Sequence, residues 1–236
     1  MTSLDKVADE LEGVLCETGY TMSDVINYLG QRNSKLLMLD DISHRRYVEL
    51  YDAIVSGKLT KTEKGKRLEE LTGLLLKDSV NGLFDVYRNC RTSSNEIDIL
   101  VRWTDNARMA NINLAYPCFG ESFLCECKNY NGKVNVTYVG KFCSLMCVTG
   151  VDLGIMVAWE GITSRGKWSD SNGLIKKFAL KENKYIVVLS KDDFKRIYNR
   201  EANIFSLVND KYLALKSEID YKEYILQHEA ESVLKC

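Results

Sequence analysis

The chain has 236 residues, of which 45% are hydrophobic and 28% are charged, and its formal net charge is -1. This composition provides enough apolar side chains for a packed core and argues against a wholly disordered chain. The net charge gives no sign of a nucleic-acid partner, yet a local basic surface can bind phosphate while an acidic metal site lowers the total.

The amino terminus and the cysteines indicate the cellular compartment. The stretch from Met1 to Glu12 is charged and amphipathic, unlike a signal peptide, so we expect a cytoplasmic protein with reduced thiols. The closest cysteine pairs do not have zinc-ribbon spacing, so most cysteines are expected to be small buried hydrophobes (Cys125 and Cys127, Cys143 and Cys147). No apolar run approaches the length of a bilayer span, so no membrane association is expected.

Residues 1–60 are predicted to form a helical amino-terminal region. Apolar residues from Leu4 to Leu15 recur at helical spacing, Thr21 to Leu29 begins with capping residues, and Ser43 to Ser56 forms a third amphipathic segment. The stretch from Thr21 to Leu37 has features of a helix-turn-helix. This region is therefore a candidate for recognition of DNA or of a partner protein.

The rest of the chain alternates between helical and strand patterns. The predicted helices are Gly65 to Leu76, Val136 to Val148, Leu174 to Leu180, Asp192 to Asn199 and Phe205 to Leu234. The predicted strands are Leu83 to Asn89, Glu96 to Trp103, Ser122 to Lys128, Val151 to Trp159 and Tyr185 to Leu189. This order predicts an α/β fold with a mixed central sheet flanked by helices. The long connection after the second strand is expected to contain an inserted hairpin around Arg102 to Pro117.

Two predicted strands carry charged side chains in otherwise apolar surroundings. Because side chains alternate along a strand, Glu96 and Asp98 share one face, and Glu126 and Lys128 likewise share one face. Carboxylates in such a position need a cation, an ionic partner or water. A single Glu-x-Lys would ordinarily be a rim ion pair of little energetic value. Together with Asp98 and the acidic helix before it, the set matches what Mg²⁺-assisted phosphodiester hydrolysis needs.

The arrangement resembles the PD-(D/E)xK nuclease superfamily, and within it the restriction-endonuclease-like proteins of the Mrr type. The resemblance covers about residues 64 to 200 and follows one order: an acidic helix, a strand with an aspartate, and a strand with Glu-x-Lys. The segments that carry it are Lys64 to Leu71, Glu96 to Asp98, Glu126 to Lys128, Asn129 to Val134, Gly154 to Ala158 and Gly161 to Thr163. Ile97 departs from the family pattern, which has proline before the aspartate, although many members vary at this position.

The resemblance implies a role for each matching residue. Asp98 and Glu126 would bind Mg²⁺, for which Mn²⁺ could substitute, with the Cys127 backbone carbonyl as a third ligand. Lys128 would be the catalytic lysine. Glu69 on the acidic helix would complete the site, and the adjacent Glu70 is its rival. Glu96 is either a further site carboxylate or a solvated residue at the strand end.

Several polar residues around this motif are weaker candidates. Tyr130 and Lys133 follow the Glu-x-Lys strand and could contact the DNA backbone, as could Arg165 and Lys167 in a later loop. Lys141 lies on the following helix, where it is either near the site or simply solvated.

The resemblance implies an Mg²⁺-dependent DNA endonuclease with the core at residues 61–203 and a carboxy-terminal helix at 204–236. A role in restriction or anti-phage defence comes from the resemblance alone. Two alternatives remain open: a structure-selective nuclease or resolvase on the same fold, and a non-catalytic DNA-binding protein on a nuclease scaffold. A homodimer or a companion protein is compatible with the pattern, and neither the DNA sequence nor RNA cleavage is decided by it.

Overall fold

The computed structural model describes residues 3–21, 24, 37–78, 82–91, 96–109, 112–128, 132–164 and 170–217. The chain divides into two units, Met1–Met38 and Leu39–Cys236. The first unit contains helix α1, Ser3–Thr18, in which Leu15 is buried. Most of the predicted helix-turn-helix from Thr21 to Leu37 lies outside the described residues.

The second unit alternates between helices and strands as the apolar periodicity predicts. Its helices are α2 Asp41–Val55, α3 Lys61–Asp78, α4 Asp105–Met109, α5 Ile112–Ala115, α6 Val136–Thr149, α7 Asp170–Glu182, α8 Lys191–Tyr198 and α9 Ile204–Lys216. Its strands are β1 Phe84–Arg91, β2 Glu96–Trp103, β3 Ser122–Lys128, β4 Leu153–Ala158 and β5 Tyr185–Leu189. The bounds of β2, β3 and β5 are the predicted ones. Among the described residues, no helix is long and apolar enough to cross a bilayer.

The strands form one five-stranded mixed sheet in the order β1-β2-β3-β4-β5. Strand β2 runs antiparallel to both of its neighbours, β1 and β3, while β3, β4 and β5 run parallel. The register pairs Leu100 with Leu124, and Leu124 with Gly154. Since the parallel strands are connected through α6 and α7, the fold is of the α/β class with a mixed sheet, as predicted.

One face of the sheet is covered by α6, which packs closely on β4. A Cβ atom at Gly154 would lie 2.6 Å from both Met146 Sδ and Phe142 Cε1. Glycine at this position therefore lets the helix approach the strand. Because Gly154 pairs with Leu124, this is also the face of Leu124, Glu126 and Lys128.

The opposite face carries α3 and an aromatic cluster. Leu68, Leu71 and Leu75 of α3 are almost completely buried. Phe205 of α9 stacks on Phe84 of β1 with ring centroids 5.4 Å apart. Trp103, Phe119 and Phe123 complete this cluster. These two layers bury most of β3, β4 and β5, whereas β1 and β2 also carry exposed charged side chains such as Arg88 and Arg102.

The connection between β2 and β3 is helical, so the predicted inserted hairpin is wrong. Residues after Trp103 form α4, α5 and a 3-10 helix at Pro117–Phe119. Thr104 accepts a hydrogen bond from the Ala107 backbone N–H at 3.2 Å, which favours a helical start over a strand. Pro117 begins the 3-10 helix, where its missing N–H costs no hydrogen bond.

The carboxy-terminal helix is shorter than predicted within the described residues. Helix α9 ends at Lys216, where the Ser217 N–H donates to the Leu213 and Leu215 carbonyls. The remainder of the predicted helix, residues 218–236, lies outside the described residues. The predicted functional division at residues 60 and 203 stays a prediction, although helix α2 belongs to the same unit as the sheet.

Candidate active site

Three of the predicted site residues meet where β2 and β3 separate. The described register of these strands runs from Arg102–Ser122 to Ile99–Cys125. Asp98 lies one residue past this last pair on β2, and Glu126 and Lys128 lie past it on β3. Because Leu100 pairs with Leu124, the alternation of side chains puts Asp98, Glu126 and Lys128 on the same face.

The three side chains form a compact charged cluster. The Lys128 Nζ atom lies 2.5 Å from Glu126 Oε1 and 3.7 Å from Asp98 Oδ2. Each side chain is 17–21% exposed, so the cluster is shielded but open to solvent on one side. The lysine ammonium therefore lies against both carboxylates.

The backbone of Cys127 adds a further group to this cluster. Its N–H donates a hydrogen bond of 2.9 Å to Asp98 Oδ2. The neighbouring Lys128 carbonyl accepts from the Trp159 N–H at 3.3 Å, so it faces β4. Since the N–H and C=O of one strand residue point to the same edge, the Cys127 carbonyl faces Asp98. The cluster thus has two carboxylates and one backbone carbonyl directed towards the gap between β2 and β3.

The proximity of the two carboxylates is costly when both are ionised. Burial raises the pKa of Glu126 above its ordinary value, and the nearby charge of Asp98 raises it further. The Lys128 ammonium opposes both effects and only partly offsets them. A cation held between the two carboxylates would stabilise their ionised forms.

The acidic helix α3 packs on the reverse face of the same strand end. The Cys127 thiol donates to the Thr72 hydroxyl at 3.6 Å, and Thr72 is only 1% exposed. Glu69 lies three residues before Thr72, so it is on the same side of α3, and it is half-buried. Its helix is therefore in contact with the residue whose carbonyl faces Asp98.

Glu70, the rival of Glu69, is engaged elsewhere. Arg46 of α2 and Arg67 of α3 each form an ion pair of 2.7 Å with its carboxylate. These two guanidinium groups hold the pKa of Glu70 below its ordinary value, although its partial burial acts in the opposite direction. Glu70 therefore ties α2 to α3, and we interpret it as a structural residue.

The donor set fits a hard divalent cation in its chemistry. Carboxylate and carbonyl oxygens are the ligands that Mg²⁺ takes, and it keeps several waters rather than requiring a complete protein cage. Within the described ranges, however, no three Asp, Glu, His or Cys side chains come together as a ligand group. Asp98 and Glu126 converge as a pair, and a third carboxylate from Glu69 stays a prediction.

Two of the weaker candidates are exposed lysines. Lys133 is exposed in the loop after β3. Lys141 is exposed on α6, where its ammonium lies 5.8 Å from the centroid of the Tyr138 ring. Glu96 begins β2. Tyr130, Arg165 and Lys167 lie outside the described residues.

Two residues beside the site were missed by the sequence reasoning. Arg46 comes from a helix 24 residues before Glu70, and no local spacing connects them. Thr72 is a hydroxyl residue within the apolar face of α3, and such a break in a leucine-rich face was the one available signal. Both residues act through tertiary contacts that periodicity cannot show.

Comparison with protein-family models identifies the type of domain. A family model for restriction endonucleases, Mrr_cat, matches residues 60–194, which is more than half of the chain. The chain belongs to this restriction endonuclease family. The match includes α3 and all five strands, so the mixed sheet is a restriction-endonuclease-like fold. The chain therefore carries a nuclease domain of the Mrr type.

A solved structure gives a weaker similarity. The DNA modification-dependent restriction endonuclease AspBHI aligns with a TM-score of 0.34 and 14% sequence identity. The alignment covers 78% of this chain and 42% of that protein, so this chain spans less than half of its length. A search of curated proteins found no match.

Proposed function

We propose that the chain is an Mg²⁺-dependent DNA endonuclease that hydrolyses phosphodiester bonds at the Asp98, Glu126 and Lys128 cluster. The observation that carries this proposal is the convergence of two carboxylates and a lysine at one strand end, where the Cys127 N–H donates to Asp98. Membership of a restriction endonuclease family supports the same reaction class.

Asp98, Glu126 and the Cys127 carbonyl are the groups that would hold the metal ion. A bound Mg²⁺ would lower the pKa of a water ligand and offset the negative charge of the phosphate being attacked. Glu69 would contribute a carboxylate from α3. Mn²⁺ is expected to substitute, because it prefers similar oxygen ligands.

The protein's own groups prepare the site. The Cys127 N–H holds Asp98 in one orientation through a hydrogen bond, and the packing of Thr72 on Cys127 fixes the strand end. Lys128 shares its face with both carboxylates, so its ammonium can orient the attacking water and stabilise charge that develops on the phosphate oxygens. The partial exposure of all three side chains makes them accessible from solvent.

We further propose a setting in restriction or anti-phage defence inside the cell, with DNA as the substrate. Lys133, Lys141, Tyr130, Arg165 and Lys167 are candidates for contacts with the DNA backbone. A second copy of the chain or a companion protein would allow both DNA strands to be cut.

The test is cleavage of plasmid and linear DNA by the purified protein in Mg²⁺, Mn²⁺ or EDTA. Asp98→Ala and Lys128→Ala should abolish metal-dependent cutting. The matched control is the ion pair of Asp152 and Lys184, which spans 3.1 Å on the same domain but leaves Asp152 mostly exposed. Asp152→Ala and Lys184→Ala should cut like the wild type. If the wild type binds DNA but cleaves none, even when the DNA is methylated or branched, the non-catalytic scaffold is favoured.

A further inference from the structure

Helix α3 has a notch at Gly73 that is filled by an arginine from the sheet. A Cβ atom at Gly73 would lie 2.5 Å from Arg88 Cζ and 2.7 Å from Arg88 Nε, and closer still to Nη2. The guanidinium group of Arg88 therefore rests directly on the helix backbone, in the space that any other side chain would occupy. Glycine at this position therefore allows the guanidinium group of a residue on β1 to contact α3.

The guanidinium group in this notch is accessible and uncompensated within the described part of the chain. Arg88 is exposed, and no acidic side chain among the described residues pairs with it. Other arginines of this domain are neutralised: Arg67 pairs with Glu70, and Arg102 pairs with Asp85 at 3.2 Å. Arg88 is exposed although its guanidinium contacts the helix, so N–H donors of this group are accessible to an anion from solvent.

The notch lies on the α3 face of the sheet, close to the strand end that carries the candidate active site. Arg88 pairs in register with Ile99, so its side chain is on the face of Ile99 and opposite to that of Asp98. Gly73 follows Thr72, which contacts Cys127, and it is one helical turn after Glu69. Because β1 and β3 are two strand spacings apart, the backbone of Arg88 is on the order of 10 Å from the backbone at the Cys127 strand end. That distance corresponds to about three nucleotides of rise along one DNA strand.

We propose that Arg88, held in the Gly73 notch, binds a backbone phosphate of the DNA on the α3 side of the cleavage site. This inference rests on the proposed function for the nature of the substrate. A planar guanidinium with several donors suits bidentate recognition of phosphate, and its support on a helix backbone reduces the entropy lost on binding. A phosphate contact of this kind fixes the position of the DNA and carries no sequence information.

Two substitutions test the proposal in different ways. Arg88→Met removes the charge and keeps an apolar stem. Gly73→Ala keeps the charge and fills the notch, and the strain is cheap to relieve because the obstructing atoms are the end of a flexible side chain. Gly65→Ala is the matched control, since a Cβ there meets nothing within 4 Å on the same helix. Arg102→Met is the charge control.

The measurement is the Kd for a DNA duplex in EDTA at several salt concentrations, so that binding is separated from cleavage. Arg88→Met should weaken binding about threefold to tenfold and reduce the salt slope by about one. Gly73→Ala should weaken binding in the same direction while its Tm stays at or above the wild-type value, since alanine favours a helix. Gly65→Ala and Arg102→Met should bind like the wild type.

Wild-type affinity and salt slope in both Arg88→Met and Gly73→Ala would overturn the proposal. A loss of Tm in Arg88→Met with unchanged DNA affinity would do the same, because Arg88 would then only hold β1 to α3. If the wild type cuts no DNA but both variants bind DNA more weakly than it does, the role of Arg88 is supported and the proposed nuclease is refuted. Absence of DNA binding by the wild type would refute both.

Discussion

Replacement of Lys128 by methionine should destabilise the metal-free protein by about 2 kcal/mol. The ammonium lies 2.5 Å and 3.7 Å from two carboxylates, and all three side chains are 17–21% exposed. Exposed ion pairs contribute about 0–1 kcal/mol, whereas removal of one partner from a buried pair costs about 3–5 kcal/mol. This cluster lies between these limits, because Asp98 and Glu126 would be left facing each other without a compensating cation.

The assay is urea denaturation of the wild type and Lys128→Met in EDTA and in Mg²⁺. In EDTA the variant should show a lower midpoint with an unchanged slope. Mg²⁺ should recover the loss, since an ion present at roughly one hundred times its Kd adds about 2.7 kcal/mol of stability. The control is Lys191→Met, because Lys191 pairs with Glu160 at 2.8 Å on the exposed surface and should show no measurable loss. An equal loss in both variants, or no Mg²⁺ effect on Lys128→Met, would refute this electrostatic description of the site.

Three further predictions concern the same domain. Gly154→Ala should lower the free energy of unfolding by about 1–3 kcal/mol in urea, because its Cβ overlaps Met146 and Phe142; wild-type stability would mean that α6 shifts freely. Burial and Asp98 raise the pKa of Glu126, so in EDTA the wild type should lose stability as pH rises from the ordinary glutamate pKa through the raised one. The stability of Glu126→Gln should not fall over this pH range. A pH profile of its stability that runs parallel to the wild-type profile would contradict the assignment of the fall to Glu126. Asn203→Ala should cost about 1 kcal/mol in thermal unfolding, because the side chain caps α9; an unchanged Tm would exclude the cap.

The pairing of Asp98 with Glu126 and Lys128 illustrates what the sequence could predict. Alternation along two short apolar strands placed the charged residues on shared faces, and the bounds of β2 and β3 followed from the same pattern. Their approach across the sheet depends on a register that pairs Leu100 with Leu124. That register matters, since a slip by one residue would turn every side chain of the strand to the other face and separate Asp98 from Glu126.

The surroundings of the acidic helix illustrate what the sequence could not predict. Glu69 and Glu70 are adjacent, and their different environments arise from Arg46 on another helix. The notch at Gly73 likewise depends on Arg88 from a strand, and a glycine inside a helical pattern ordinarily signals only a weak helix. The connection after β2 was missed because helices of four and five residues are too short to show a helical period.

The most direct test of the central claim is the rate of DNA cleavage in a single turnover, with enzyme in excess and Mg²⁺ saturating. Lys128→Met should bind the DNA with the wild-type Kd. It should cut the DNA at least about a hundredfold more slowly than the wild type, because Lys128 acts on the reacting phosphate. Lys184→Met, which removes a lysine paired with an exposed aspartate, should cut at the wild-type rate. Equal single-turnover rates for the wild type and Lys128→Met would contradict the assignment of the active site.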